Sequence, residues 1–94
     1  MKVKEILLFK KTGIFAEDKD LAREIRIKEL TPRLKRNEEI ILNFEGVESV
    51  TQSFIHALIS ELIREFGGEV LDRISFKKCN ENIRKIIDIV VEYM

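Results

Sequence analysis

A predominantly apolar run in the middle of the chain, residues 39–44 (Glu-Ile-Ile-Leu-Asn-Phe), constrains the fold most. A strand with one face in water alternates apolar and polar residues. A run without this alternation is instead typical of a parallel-sheet strand buried on both faces. We therefore predict that residues 39–44 form the central strand of a sheet.

Segments with helical and strand patterns alternate around this run. Apolar side chains recur at spacings of three and four in the segments 18–30, 52–66 and 81–92, which predicts three amphipathic helices. Two further segments have strand character: residues 3–9, and part of residues 70–76. A brief extended piece is also predicted at 14–15.

The ends of these elements are indicated by capping and breaking residues. Asp18 or Asp20 is the expected N-cap of the first helix, and Asn80 that of the last. The pair Gly67-Gly68 predicts the end of the middle helix. Pro32 disfavours helical angles in the residue before it, so residues 33–37 are predicted to form an exposed loop or single turn. Residues 10–13 are predicted as a turn.

The order strand, helix, strand, helix, strand, helix predicts an α/β fold with a mostly parallel sheet. The chain has 94 residues, too few for two independent cores, so residues 1–94 are expected to form one domain. Partners and ligands of such sheets meet the loops that follow the carboxyl ends of the strands. Here those loops are 45–51 and 77–81.

Several function classes are disfavoured by composition. The chain carries 17 basic and 17 acidic residues, whereas nucleic-acid-binding proteins usually have a basic excess. No apolar stretch approaches the roughly 20 residues of a membrane span, and the first residues lack signal-peptide features, so a cytoplasmic location is expected. Cys79, the sole cysteine, has no ligand neighbours at metal-site spacing. We expect no metal, no cofactor and no catalysis.

Hydroxyl-bearing residues cluster where the middle helix begins, at Ser49-Val50-Thr51-Gln52-Ser53. Unpaired amides and the positive end of the helix dipole would favour an anion or phosphoryl group there. Capping explains the same residues: Ser49 with Gln52 matches a capping box, and Thr51 could cap alone.

Residues 41–54 (Ile-Leu-Asn-Phe-Glu-Gly-Val-Glu-Ser-Val-Thr-Gln-Ser-Phe) resemble the strand–loop–helix signature of the STAS superfamily, named for sulfate transporters and anti-sigma-factor antagonists. They are most similar to short STAS-like proteins of a domain family of unknown function. The resemblance extends weakly over about residues 20–92 and implies a STAS-like fold.

In anti-sigma-factor antagonists, an Asp-Ser-Ser-Gly motif at this helix start carries a serine that a kinase partner phosphorylates. On this chain Thr51 falls at the motif Asp, Gln52 at the phosphorylated Ser and Ser53 at the second Ser. The usual phosphoacceptor is therefore missing, and Ser53 or Thr51 would have to replace it. Phe54 stands at the motif Gly, and Asn43 stands where STAS-like proteins often have Asp.

The first functional hypothesis is a non-catalytic regulatory module that docks a protein partner through residues 45–54 and the exposed part of the following helix. The contact residues would be Glu45, Gly46, Glu48, Ser49, Thr51, Gln52 and Ser53. The resemblance implies a histidine-kinase-like ATPase or another regulator as the partner, and a homodimer is an open alternative.

A second hypothesis, from a different class, is a binding domain for a nucleotide or another phosphorylated metabolite at the same helix N-terminus. An enzyme would require Cys79, His56 and the Glu45 loop to converge in space.

Overall fold

Five strands and five α-helices follow one another in a computed structural model that describes residues 2–93. The strands are β1 (Val3–Leu7), β2 (Phe15–Ala16), β3 (Glu39–Asn43), β4 (Ser49–Val50) and β5 (Ile74–Lys77). The helices are α1 (Phe9–Thr12), α2 (Lys19–Ile25), α3 (Thr31–Lys35), α4 (Gln52–Phe66) and α5 (Glu81–Glu92). A π-helical turn, Arg26–Leu30, joins α2 to α3, and a 3₁₀ helix, Gly68–Arg73, precedes β5.

The main sheet is parallel and has the strand order β1-β3-β5. The run at 39–44 therefore supplies the middle strand, as predicted, and the α/β fold class is confirmed. A second, two-stranded parallel pair forms between β2 and β4. The sequence did not predict this pair as a sheet, because each of its strands is only two residues long.

Only one face of the main sheet is covered by the helices. Ile40 and Leu42 of β3, together with Ile6 of β1, are buried on that face. On the other face Ile41 is half-buried and Leu7 is exposed. The prediction that β3 is buried on both faces was therefore wrong: the helices form a single layer, and the second face of the sheet is left open.

The chain remains helical through Pro32, contrary to the predicted break. Thr31 has helical angles (φ −58°, ψ −47°), and its amide donates to the carbonyl of Arg26, five residues back. This π turn places Pro32 in the first turn of α3, where a missing N–H costs nothing. The helix continues because Leu34 is buried in the core. Residues 33–37 are thus mostly helix rather than loop.

The bounds of the other elements differ less from the predicted ones. Strand β1 ends at Leu7, and the predicted turn at 10–13 is largely the short helix α1. Most of the predicted strand region 70–76 is the 3₁₀ helix, so β5 begins only at Ile74.

Helices α4 and α5 have the predicted bounds. Asn80 caps α5 by accepting from the Ile83 amide at 2.9 Å, and Asp18 caps α2 by accepting from the amides of Asp20 and Leu21. Among residues 2–93, no helix has the length and apolar character that crossing a membrane requires.

Candidate functional site

Two loops meet at the carboxyl edge of the sheet, as expected for a parallel arrangement. The side chain of Asn80 connects them: its Nδ2 donates to the Glu48 carbonyl at 2.8 Å while its Oδ1 caps α5. Residues 45–48 and 78–80 line one shallow depression. The first turn of α5 and the loop after β3 are therefore held together.

Asn43 fixes the beginning of the same loop. This residue is 9% exposed; its Oδ1 accepts from the Glu45 amide at 2.8 Å, and its Nδ2 donates to Glu5 Oε2 at 3.0 Å. An aspartate at this position could accept from the amide but could not donate to Glu5. The asparagine thus joins β1, β3 and the loop through one side chain.

The segment 45–51 is more ordered than the predicted loop. The Ile14 carbonyl accepts from the amides of Glu48 and Ser49, at 2.9 and 3.3 Å, and Ser49 pairs with Phe15 in the β2–β4 ladder. The Thr51 amide donates to the Ala16 carbonyl at 3.0 Å. One of the amides expected to be free at the helix start is therefore already bonded.

The start of α4 is capped by Thr51 alone. Its Oγ1 accepts from the Phe54 amide at 3.0 Å, while Ser49 lies in β4, so the predicted Ser49–Gln52 capping box was wrong. Gln52 and Ser53 are exposed, and their amides donate to no acceptor in residues 2–93. Two donors therefore remain open at this helix end.

Three exposed apolar side chains lie beside the loop; we call Phe9, Ile14 and Phe15 the apolar rim patch. They are 43%, 47% and 61% exposed, respectively. The Phe9 ring packs against Gly46. The Ile14 carbonyl accepts hydrogen bonds from the loop, and Phe15 pairs with Ser49 in the β2–β4 ladder. The predicted contact residues Glu45, Gly46, Glu48 and Ser49 thus lie next to the apolar rim patch.

The exposed part of α4, which the first hypothesis includes in the docking surface, is polar. Phe54, Ile55, Leu58, Ile59 and Leu62 are all buried, and no large apolar side chain of α4 is exposed. The helix packs against both α2 and α5, so its apolar side chains are used in the core.

A groove with three cationic side chains runs between α2 and the first half of α4; we call it the basic groove. Its cations are Lys19, Arg23 and Arg26, and its α4 side includes Gln52, Ser53 and His56. Arg26 Nη1 donates to the Ala57 carbonyl at 2.9 Å, which holds this guanidinium in place.

The residues that an enzyme would require do not converge. Cys79 and Glu45 line the depression at the sheet edge, whereas His56 lines the basic groove. Burial raises the pKa of the Cys79 thiol, which disfavours the reactive thiolate. In the described part of the chain, no three His, Cys, Asp or Glu side chains are grouped as metal ligands.

These features define a small α/β domain whose parallel sheet presents its C-terminal loops beside the start of a capped helix. A family model described as a STAS-like domain of unknown function (DUF4325) matches residues 22–84, and the chain belongs to this family. Searches among curated proteins and solved structures give no match. The matched region contains residues 45–53 but not β1, α1 or β2, which carry the apolar rim patch.

Sequence reasoning missed two groups of surface residues. The pair Ile14-Phe15 is predicted only as a short extended piece, although its aromatic character is a usable signal of an interaction surface. Lys19, Arg23 and Arg26 recur at spacings of four and three, which places them on one helical face. This face lies opposite Ser53 and His56 because of the way α2 packs on α4. Local sequence patterns do not reveal that packing.

Proposed function

We propose that this protein is a non-catalytic interaction module that docks a regulatory protein partner at the carboxyl edge of its sheet. The docking surface consists of the loop and helix start at 45–54 together with the apolar rim patch. One observation carries the proposal: Phe9, Ile14 and Phe15 are exposed directly beside the predicted contact residues.

Exposed aromatic and aliphatic side chains on one part of a surface are typical of protein interfaces. Here they lie beside a loop whose side chains Glu45, Glu48 and Ser49 are polar or charged and all exposed. An apolar centre with a polar rim is the usual anatomy of a transient interface. The proposed partner therefore presents an apolar surface to Phe9 and Phe15.

By analogy with anti-sigma-factor antagonists, the first partners to test are histidine-kinase-like ATPases and other regulatory proteins. A phosphate on Ser53 would add nearly two negative charges at the edge of this surface. Ser53 is the better acceptor because it is exposed, whereas the Thr51 hydroxyl accepts from the Phe54 amide. Phosphorylation of Ser53 would accordingly act on docking.

Photo-crosslinking in the source cells tests this proposal. A photoreactive phenylalanine analogue is placed at Phe15, and in a matched control at Tyr93, an exposed aromatic at the far end of α5. We expect a defined protein adduct from position 15 that position 93 does not give, and we expect Ser53→Glu to change its yield.

An adduct with a second copy of the chain would identify the partner as the chain itself. Identical adducts at both positions, or no adduct at position 15, would refute docking at this surface.

A further inference from the structure

We propose that the basic groove between α2 and α4 binds the phosphate group of a small soluble phosphate monoester. Lys19, Arg23 and Arg26 supply the charge, and the start of α4 supplies hydrogen-bond donors. This site is distinct from the docking surface, with which it shares only Gln52 and Ser53.

Charge is concentrated in the groove although the chain as a whole is neutral. Three cations line it against one carboxylate, Glu61, which is paired with Arg64 at 2.6 Å. Within residues 2–93, neither Lys19 nor Arg23 has an ion-pair partner. Cations that converge without internal counterions create a positive potential that attracts an anion.

Hydrogen-bond donors complement this charge. The amides of Gln52 and Ser53 are open, and they lie at the positive end of a 15-residue helix. One guanidinium is already positioned, because Arg26 is bonded to the Ala57 carbonyl. A phosphate accepts several hydrogen bonds at once and suits this combination of guanidinium groups and amides.

A small polar side chain adds to this lining. Ser60 is only 2% exposed and is one of the residues that line the groove. Its hydroxyl is a further hydrogen-bond donor for an oxyanion.

The dimensions of the groove favour a small molecule. Its volume is about 740 Å³, within the range of ligand sites. Apart from Ala57, the lining residues are polar or charged. A compact, highly charged ligand gains most from such a lining.

The test is an NMR titration of the ¹⁵N-labelled full chain with glycerol 3-phosphate, with glycerol as the uncharged control and ionic strength held constant. We expect saturable shifts of the Gln52 and Ser53 amides at about millimolar ligand and none with glycerol. Absence of saturable shifts at these amides would overturn the proposal.

A pair of charge-matched variants locates the binding. The double variant Lys19→Gln/Arg23→Gln should weaken binding by about tenfold or more, because it removes two charged donors. The control Lys4→Gln/Lys85→Gln removes the same charge from exposed positions away from the groove and should leave the affinity unchanged. Equal affinities of the two variants would refute the site.

Vesicles containing phosphatidic acid separate a soluble ester from a lipid headgroup. Binding to glycerol 3-phosphate without vesicle binding supports the proposal, and binding to vesicles alone overturns it. The variants Lys19→Gln and Arg23→Gln alter no residue of the docking surface, so crosslinking at Phe15 should persist in them. Failure of either proposal is thereby distinguished from failure of the other.

Discussion

Replacement of Gly46 by alanine should destabilise the protein through two separable effects. The residue has φ +90°, where an L side chain is strained, at a cost of about 1–3 kcal/mol. An added Cβ would also lie 2.9 Å from Cδ2 and 3.0 Å from Cγ of the Phe9 ring, and such overpacking costs about 1–3 kcal/mol. The sum, about 2–6 kcal/mol, is a large part of the about 5–15 kcal/mol that stabilises a typical domain.

Two other glycines separate these effects. Gly13 has φ +73°, but an added Cβ there would meet nothing within 4 Å, so Gly13→Ala should show the backbone strain alone. Gly68 has neither a positive φ nor a close neighbour, so Gly68→Ala should change the free energy of unfolding by less than about 1 kcal/mol. In a Phe9→Ala background, the steric part of the Gly46→Ala cost should disappear.

Urea denaturation followed by circular dichroism measures each free energy of unfolding. The expected order of destabilisation is Gly46→Ala, then Gly13→Ala, then Gly68→Ala. If Gly46→Ala costs the same with and without the Phe9 ring, the ring contact does not constrain this position. Packing of the Phe9 ring against Gly46 would then be refuted.

Two further predictions concern carboxylates. The hydrogen bond from Arg36 holds the pKa of Glu38 below its ordinary value of about 4.3. The ionised Glu38 therefore stabilises the fold near neutral pH, and this stabilisation is lost as the pH falls from the ordinary value through the folded pKa. Urea denaturation over pH 3–7 should therefore show a smaller acid-induced loss for Glu38→Gln than for wild type; equal losses would contradict it. Asn43→Asp should remove the hydrogen bond to Glu5 and place a second carboxylate against it, destabilising the protein by about 1–3 kcal/mol at pH 7. A free energy of unfolding equal to that of wild type would contradict this.

The sequence was most informative where a structure depends on local signals. The bounds of α4 and α5 follow from apolar periodicity together with the caps Thr51 and Asn80, all of which act within a few residues. The middle position of β3 was predicted correctly from its apolar run, although the burial of both faces that the run indicated was wrong. The loop residues 45–53 lie at the strand and helix ends where parallel topology requires them.

The errors arose where tertiary contacts override local preference. Pro32 is a reliable helix breaker in isolation, yet burial of Leu34 favours a continuing helix and a π turn accommodates the ring. Strands β2 and β4 exist only as partners of each other, so neither has a pattern of its own. The basic groove requires α2 to face α4, and only the packed core determines this.

Asn43 and Asn80 hold the loop after β3 at its two ends, through the Glu45 amide and the Glu48 carbonyl. A loop restrained in this way has little conformational entropy left to lose when a second molecule binds. The entropy lost on association is then smaller than for a flexible segment of the same length, so a small contact area is enough for measurable affinity. Removing either amide side chain should therefore weaken association at the proposed docking surface, although neither side chain belongs to that surface.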